Sequence, residues 1–480
     1  MSRIRRGKGV RSPVKGGNRQ TRANRDIKLL SFLLCALCVL LSLHGTAFAE
    51  NEEEAKDTDQ TEQTEQDRIW VPKFAFPPSE TASKAGYLPV WKRDISIDFR
   101  KYILYLSRKK GLEVTKKNSH FYFRMGGRIY LDYVDYFEDL NDLGPDGFGL
   151  RALQIDTNGR FSEKWLYKLN IGGLANGGKY DGSQAYLSDA YVSYVTEKKA
   201  WIFGQQKEPF SLEHLTSSLA TTFMERGLPY ALSPGRTLGV SYHTTRKQWA
   251  LSGGLFGTDI ASAKDGEVQG IGLTGRFVFQ PMRDEDHLTH FGGSISYRGI
   301  PSNDTISYRY RPESGLTDVR YVNTGDISEV SRQLTLGVEA ALVDGPLSLQ
   351  GEYIIASADR HGGAENLRFR GWYAFVSYFL TGESRTYFPE EAIFGYPKIK
   401  SKWGALECAM RYSMLDLNSG PVPGGRERDV TLGVNWYINP KFRVMAEYLF
   451  VSCDQNANDN GTVLGGDRPR IFQMRFQFRL

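Results

Sequence analysis

Beyond residue 49 the chain has no uninterrupted apolar stretch of about 18 residues, the length a bilayer-spanning helix needs, and helical membrane spans are therefore excluded. Cysteine is scarce. Of four, Cys35 and Cys38 fall in the first 49 residues, leaving Cys408 and Cys453; Cys408, among Leu406, Met410 and Tyr412, reads as a small hydrophobe rather than a disulfide partner. Histidine is nearly as rare, with seven in all; His287 and His290 lack the further ligands of a metal centre and read as solvated turn residues. Asp139, Asn141, Asp142 and Asp146 lack calcium-loop spacing and read as a polar loop. With no nucleophile elbow and no phosphate-binding glycine loop, neither an enzyme nor a cofactor is expected.

A basic excess is also missing once the first residues are set aside. Ten Lys or Arg from Arg3 to Lys28 precede the uncharged run Leu29–Leu43 and then Ala47-Phe48-Ala49, the order of a signal peptide. Cleavage near Glu50 turns the formal +6 into −3. Glu50–Asp67 then holds nine acids against Lys56, which leaves only +5 from Arg68 onward. Nucleic acid is not a partner such a chain is built for. The organisation read from these shifts is a signal peptide (1–49), an acidic and irregular periplasmic segment (50–115) and a β-domain (116–480).

What is present is alternation. Phe121, Phe123, Met125, Gly127, Ile129, Leu131 and Tyr133 take the odd positions, and Arg124, Arg128, Tyr130 and Asp132 lie between them. The pattern returns at 153–161, 165–173, 271–279, 291–297 and 406–412. Sixteen strands are expected: 121–136, 148–161, 163–174, 185–196, 199–207, 236–245, 247–257, 268–281, 287–298, 331–342, 345–358, 366–381, 401–415, 427–439, 441–454 and 469–480. Tight turns alternate with longer connections, as in an all-β transmembrane antiparallel barrel, and even parity places both ends of the β-domain on the periplasmic side. Aromatic residues, 13% of the chain, gather near strand ends as in Trp372-Tyr373 and Trp436-Tyr437, where interfacial girdles sit. The segment 381–400 is long for the short-turn side.

Several segments, in order from about residue 115 to 480, resemble the phosphate-selective porin O and P family. They are Gly127-Arg128; Gly204-Gln205, Lys207, Pro209-Phe210, Leu212-Glu213, Thr216-Ser217-Ser218 and Glu225-Arg226; Trp372-Tyr373 on to Tyr378-Phe379-Leu380-Thr381-Gly382-Glu383; Trp403-Gly404-Ala405 to Arg411-Tyr412-Ser413; and Gly433-Val434-Asn435-Trp436-Tyr437. The resemblance implies a 16-strand trimeric barrel in the outer membrane whose third extracellular loop folds inward, with 381–400 a family trait. Two constriction lysines of the family pattern are replaced here by His214 and Leu219, and a run of arginines on the second strand is reduced to Arg151 before Ala152 and Gln154.

Passage of anions needs lumen cations that replace part of a hydration shell without holding the ion. By register the candidates are Arg124, Arg128, Lys164, Lys168, Arg276, Arg298 and Arg411, joined by Arg151, His214 and, on the inward loop, Arg226. The expected function is an outer-membrane porin for small anions, phosphate and polyphosphate among them. A general non-selective porin, or an adhesin or anchor barrel presenting Gly299–Glu329, is the alternative. The expected partners are small anionic solutes, outer-membrane lipid and two further copies of the chain.

Overall fold

The computed structural model describes residues 95–99, 102–107, 111–174, 185–258, 270–301 and 304–480. The expected signal peptide and the acidic stretch 50–67 lie outside the described residues. Strands β1 (Ile95–Phe99), β2 (Tyr102–Ser107) and β3 (Gly111–Lys116) come first. The barrel opens with β4 (Tyr122–Phe137), β5 (Gly147–Arg160), β6 (Trp165–Leu174), β7 (Ala185–Val195), β8 (Lys199–Lys207), β9 (Arg236–Thr245), β10 (Trp249–Phe256), β11 (Gly272–Phe279) and β12 (His287–Gly299). Two short loop strands, β13 (Arg309–Tyr310) and β14 (Val322–Asn323), interrupt it before β15 (Val330–Asp344), β16 (Leu347–Arg360) and β17 (Leu367–Phe379). A small hairpin, β18 (Tyr387–Phe388) and β19 (Ile393–Phe394), precedes β20 (Ala405–Ser419), β21 (Val422–Asn439), β22 (Phe442–Cys453) and β23 (Arg470–Arg479).

Sixteen of the described strands pair antiparallel, each with the next, and β23 closes the ring on β4 from Arg470↔Phe137 to Arg479↔Arg128. Closure leaves no edge along most of β4, the arrangement that satisfies every backbone polar group inside a bilayer. The alternation sorts side chains inside out relative to an aqueous protein. Leu131, Leu153, Ile171, Val240, Leu273, Val338, Val376, Met410, Leu432 and Val434 are exposed on the outer wall, while Arg276, Glu339, Glu352, Arg411, Glu447 and Arg475 are buried on the inner one. An apolar outer wall is stable only against lipid.

Two connections differ from the expected pattern. Residues 95–99, 102–107 and 111–116, all but Lys116 assigned to the irregular segment, form β1–β3; Ile95-Ser96-Ile97-Asp98-Phe99 carries the same two-residue alternation on a smaller scale. Strand β3 pairs with β4 from Leu112↔Met125 to Thr115↔Tyr122, just beyond the last β23 pair, and so covers the edge that β23 leaves bare. The loop expected after the thirteenth barrel strand is instead a tight hairpin, since β20 and β21 remain paired out to Ser419↔Val422.

Candidate functional site: a cationic cavity beside the inward loop

Residues 208–235, between β8 and β9, turn into the barrel rather than away from it. Ser211 caps a single helical turn, α1 (Leu212–Leu215), its Oγ accepting from the His214 N–H at 3.1 Å, and a 3-10 turn follows at Leu228–Leu232. The inner wall is shaped to receive the loop. A Cβ on Gly371 would meet the Met414 carbonyl at 2.8 Å and Pro229 Cα at 3.2 Å, and one on Gly337 would meet the Phe210 ring at 3.0 Å.

Polar clamps fix the loop to the β20–β23 wall. Arg443 donates to the carbonyls of Thr221 (2.8 Å) and Thr222 (3.0 Å), Arg475 to that of Met224, and Glu447 accepts the Met224 N–H at 2.7 Å. Arg411 pairs with Glu213 at 3.3 Å and with Glu313. Glu313 belongs to a second inward element: the loop 300–329 pairs β13 with β14 and sends its tip down the lumen, burying Glu313, Ser314, Leu316, Thr317 and Tyr321. At the tip, a Cβ on Gly315 would collide with the Arg151 guanidinium and the Glu225 carboxylate. A third element enters from the periplasmic end, where Ile393 and Phe394 of the β18–β19 hairpin pack on Leu212, Leu288, Ala341 and Val343. There Arg276 donates to the Ala392 carbonyl at 2.9 Å, and Tyr387 shares a 2.7 Å bond with His290.

With the β12–β23 side filled, the open lumen lies against β4–β11. It is a cavity of about 280 Å³ walled by Arg128, Arg151, Lys168, Arg236, Arg276 and Arg475 on one side and by Lys207, Ser217, Ser218, Glu225 and Arg226 on the loop side. Asp189, Glu390 and Glu391 are the other acids on its lining. Most of the cations are paired: Lys168 and Arg236 share Asp189 at 2.7 and 2.8 Å, Arg151 binds Glu225 at 2.9 Å, and Arg475 bridges Asp132 and Glu225 at 2.7 Å each. Arg276 binds Glu339 at 2.5 Å, and Arg128 approaches Asp156 at 3.7 Å while donating to Ser218 Oγ at 2.9 Å. Burial alone would raise the Glu225 carboxyl, but Arg151 and Arg475 outweigh it and hold it at about 2.

Lys207 and Arg226 differ. Neither has a carboxylate partner among the described residues; both donate to carbonyls at the end of α1, Lys207 to His214, Leu215 (3.3 Å) and Thr216 (3.5 Å), Arg226 to Glu213 (3.0 Å) and Thr216 (2.9 Å). A carbonyl supplies a partial charge where a carboxylate supplies a whole one, so neither side chain meets a full counter-charge.

A family model described as phosphate-selective porin O and P matches residues 123–480. The chain belongs to that family. Porin O of Pseudomonas aeruginosa is 28% identical over 393 residues, covering 74% of this chain and 89% of that one. An uncharacterized protein of Caulobacter vibrioides is 31% identical over 328 residues, 64% of this chain and 63% of the other. Among solved structures, a loop L8 deletion mutant of OmpT of Vibrio cholerae aligns at TM-score 0.49 and 13% identity, covering 75% of this chain and 100% of that one. Family membership and the lipid-compatible wall together make this an outer-membrane porin, and both point to a channel.

Within the porin, the candidates read from sequence divide. Arg128, Arg151, Lys168, Arg226 and Arg276 line the cavity. Arg124 is buried against Glu113 of β3 at 2.6 Å, Lys164 is exposed in the β5–β6 turn, and Arg298 holds Glu208 at 2.5 Å. Arg411, 0% exposed, holds two loops in place. His214 corrects the expectation most sharply: it is 1% exposed, stacked on Tyr230 at 5.4 Å inside the loop fold, and absent from the cavity lining. Burial, then the charges of Lys207, Arg226 and Arg236, push its imidazole well below the ordinary histidine range. Lys207, Arg236 and Arg475 were missed; the first two sit where β8 and β9 meet the inward loop, and the fragment Gly204-Gln205-Gln206-Lys207 already pointed there.

Proposed function

We propose that the cavity is the diffusion path for small anions, phosphate and polyphosphate among them, and that Lys207 and Arg226 form its anion-binding step. The observation that carries this reading is their lack of carboxylate partners beside an otherwise paired set of cations. An anion entering from the extracellular side passes Arg151 and Arg128, exchanges water for Lys207 Nζ and the Arg226 guanidinium, and leaves past Arg276. Ser217, Ser218 and Tyr186 on the same lining supply hydroxyls for the oxygens of a tetrahedral anion. The paired arginines keep the wall rigid; the carbonyl-bound pair exchanges ligands at lower cost, because a neutral acceptor is easier to leave than a carboxylate. The native assembly on this reading is a homotrimer carrying three such paths.

The test is phosphate block of chloride current through single channels. Arg226→Gln combined with Lys207→Met is expected to weaken block at least about tenfold, since each removes roughly 1 kcal/mol or more of charge-assisted bonding. Lys207→Arg, which keeps the charge, should retain most of it. Unaltered block in the double variant would place the binding step elsewhere.

A further inference from the structure

The extracellular ends of β15–β23 carry an arc of arginines on the outer wall of the barrel. Residues of even number point outward on β15, β17, β21 and β23, as exposed Leu336, Val376, Leu432 and Phe478 show. Arg332, Arg368, Arg370, Arg428 and Arg470 share that parity and sit near the strand ends. Followed through strand pairing, the rows of Arg368, Arg370, Arg428 and Arg470 cross β15 at Leu334, Leu336, Val338 and Ala340, each a regular step deeper than Arg332. Rows in a tilted, sheared barrel climb toward one end as they pass from strand to strand. The Arg470 row shows the climb, since it crosses β15 well inside the strand yet meets β4 at its last residue, Phe137. A stepwise descent against a climbing row holds nearly constant height, so these arginines form a belt, two residues deep at β17 where Arg368 and Arg370 follow each other along the strand.

Immediately below the belt lie Val338, Tyr353, Trp372 and Tyr412, the last two with rings 5.0 Å apart, which is the aromatic and apolar border of a bilayer. The acids paired with the belt are few: Asp359 meets Arg332 and Asp416 meets Arg370, each at 3.7 Å. Arg368 and Arg428 are exposed with no carboxylate partner among the described residues. On the opposite arc, Phe148 on β5, Ile171 on β6, Leu255 on β10 and Leu273 on β11 stand exposed instead.

We infer that this belt binds the phosphates of lipopolysaccharide, the phosphorylated glycolipid of the outer leaflet. Guanidinium forks match phosphate oxygens in pairs, and the height fits a ligand whose acyl chains lie on the apolar wall while its charged sugars stand above. The belt thereby deepens the expectation of an outer-membrane lipid partner. It fixes the ligand's chemistry and the arc of wall that faces it, and it does not depend on the reading of the lumen.

Native mass spectrometry of the purified porin with bisphosphorylated lipid A, and with the same lipid stripped of both phosphates, tests the inference. Wild-type protein is expected to retain the phosphorylated form, and Arg368→Gln/Arg370→Gln/Arg428→Gln to lose at least about tenfold in affinity, with conductance unchanged because none of the three faces the lumen. Equal affinity of the triple variant, or equal retention of the phosphate-free lipid by wild-type protein, would overturn it. The lipid comparison stands on wild-type protein even where the triple variant does not fold, and Arg428→Lys, keeping the charge, should retain binding.

Discussion

At the scale of single residues, the position that looked most like a selectivity switch turns out to be packing. From sequence, His214 stands where the family resemblance implies a lysine, and its imidazole should titrate in the lumen between about pH 5.5 and 7.5. The fold buries it against Tyr230, with no described residue bonding either ring nitrogen. Local sequence records the substitution, not the turn of α1 that points the ring inward. Because the folded pKa is depressed, the unfolded state binds the extra proton: the neutral ring's contribution is complete above about 6.5 and is lost as pH falls below it. His214→Phe is therefore expected to leave ion selectivity unchanged across that range while reducing the acid sensitivity of the loop, followed as current noise at pH 5 against pH 7.5. A selectivity that changes with pH in wild type and not in this variant would return His214 to the pore.

At the scale of elements, the strands were largely legible and the inward segments were not. Period-2 alternation is set by neighbours in sequence, so β8 and β9 match the expected 199–207 and 236–245. The fold of 300–329 into the lumen depends on partners a hundred residues away, such as Arg411 for Glu313, and no local pattern encodes that. The same distance explains why Arg411, correctly placed on the inner face, proves to be a clamp. Two substitutions test the clamps. Arg443→Met leaves the Thr221 carbonyl without its donor, and the Thr222 carbonyl with Asn435 Nδ2 alone, at a cost of about 1–3 kcal/mol and should raise conductance and flicker as the inward loop loosens. Glu313→Gln breaks a buried pair worth roughly 3–5 kcal/mol and should free the tip of 300–329, read as new protease cleavage between Arg309 and Arg320 in intact cells. An uncleaved loop in that variant would show that Arg411 does not hold it.

At the scale of the whole molecule, a closed ring of sixteen described strands with an apolar outer wall should behave as a unit. Unheated and boiled samples are expected to migrate differently in detergent gels, and recovery as a soluble periplasmic species would contradict the barrel. Net charge gives no hint of preference, because the excess of +5 from Arg68 onward lies before the β-domain and residues 116–480 alone sum to −1. Preference arises instead from the placement of a few groups: paired cations line the wall, and Lys207 and Arg226 face the same space with only carbonyls for partners. Reversal potential of the wild-type channel under a potassium chloride gradient tests that placement most directly. A potential of the sign set by chloride, retained at pH 5.5 and 7.5 and diminished in the Lys207→Met/Arg226→Gln variant, is the expected result; a potential set by potassium would contradict the cationic path.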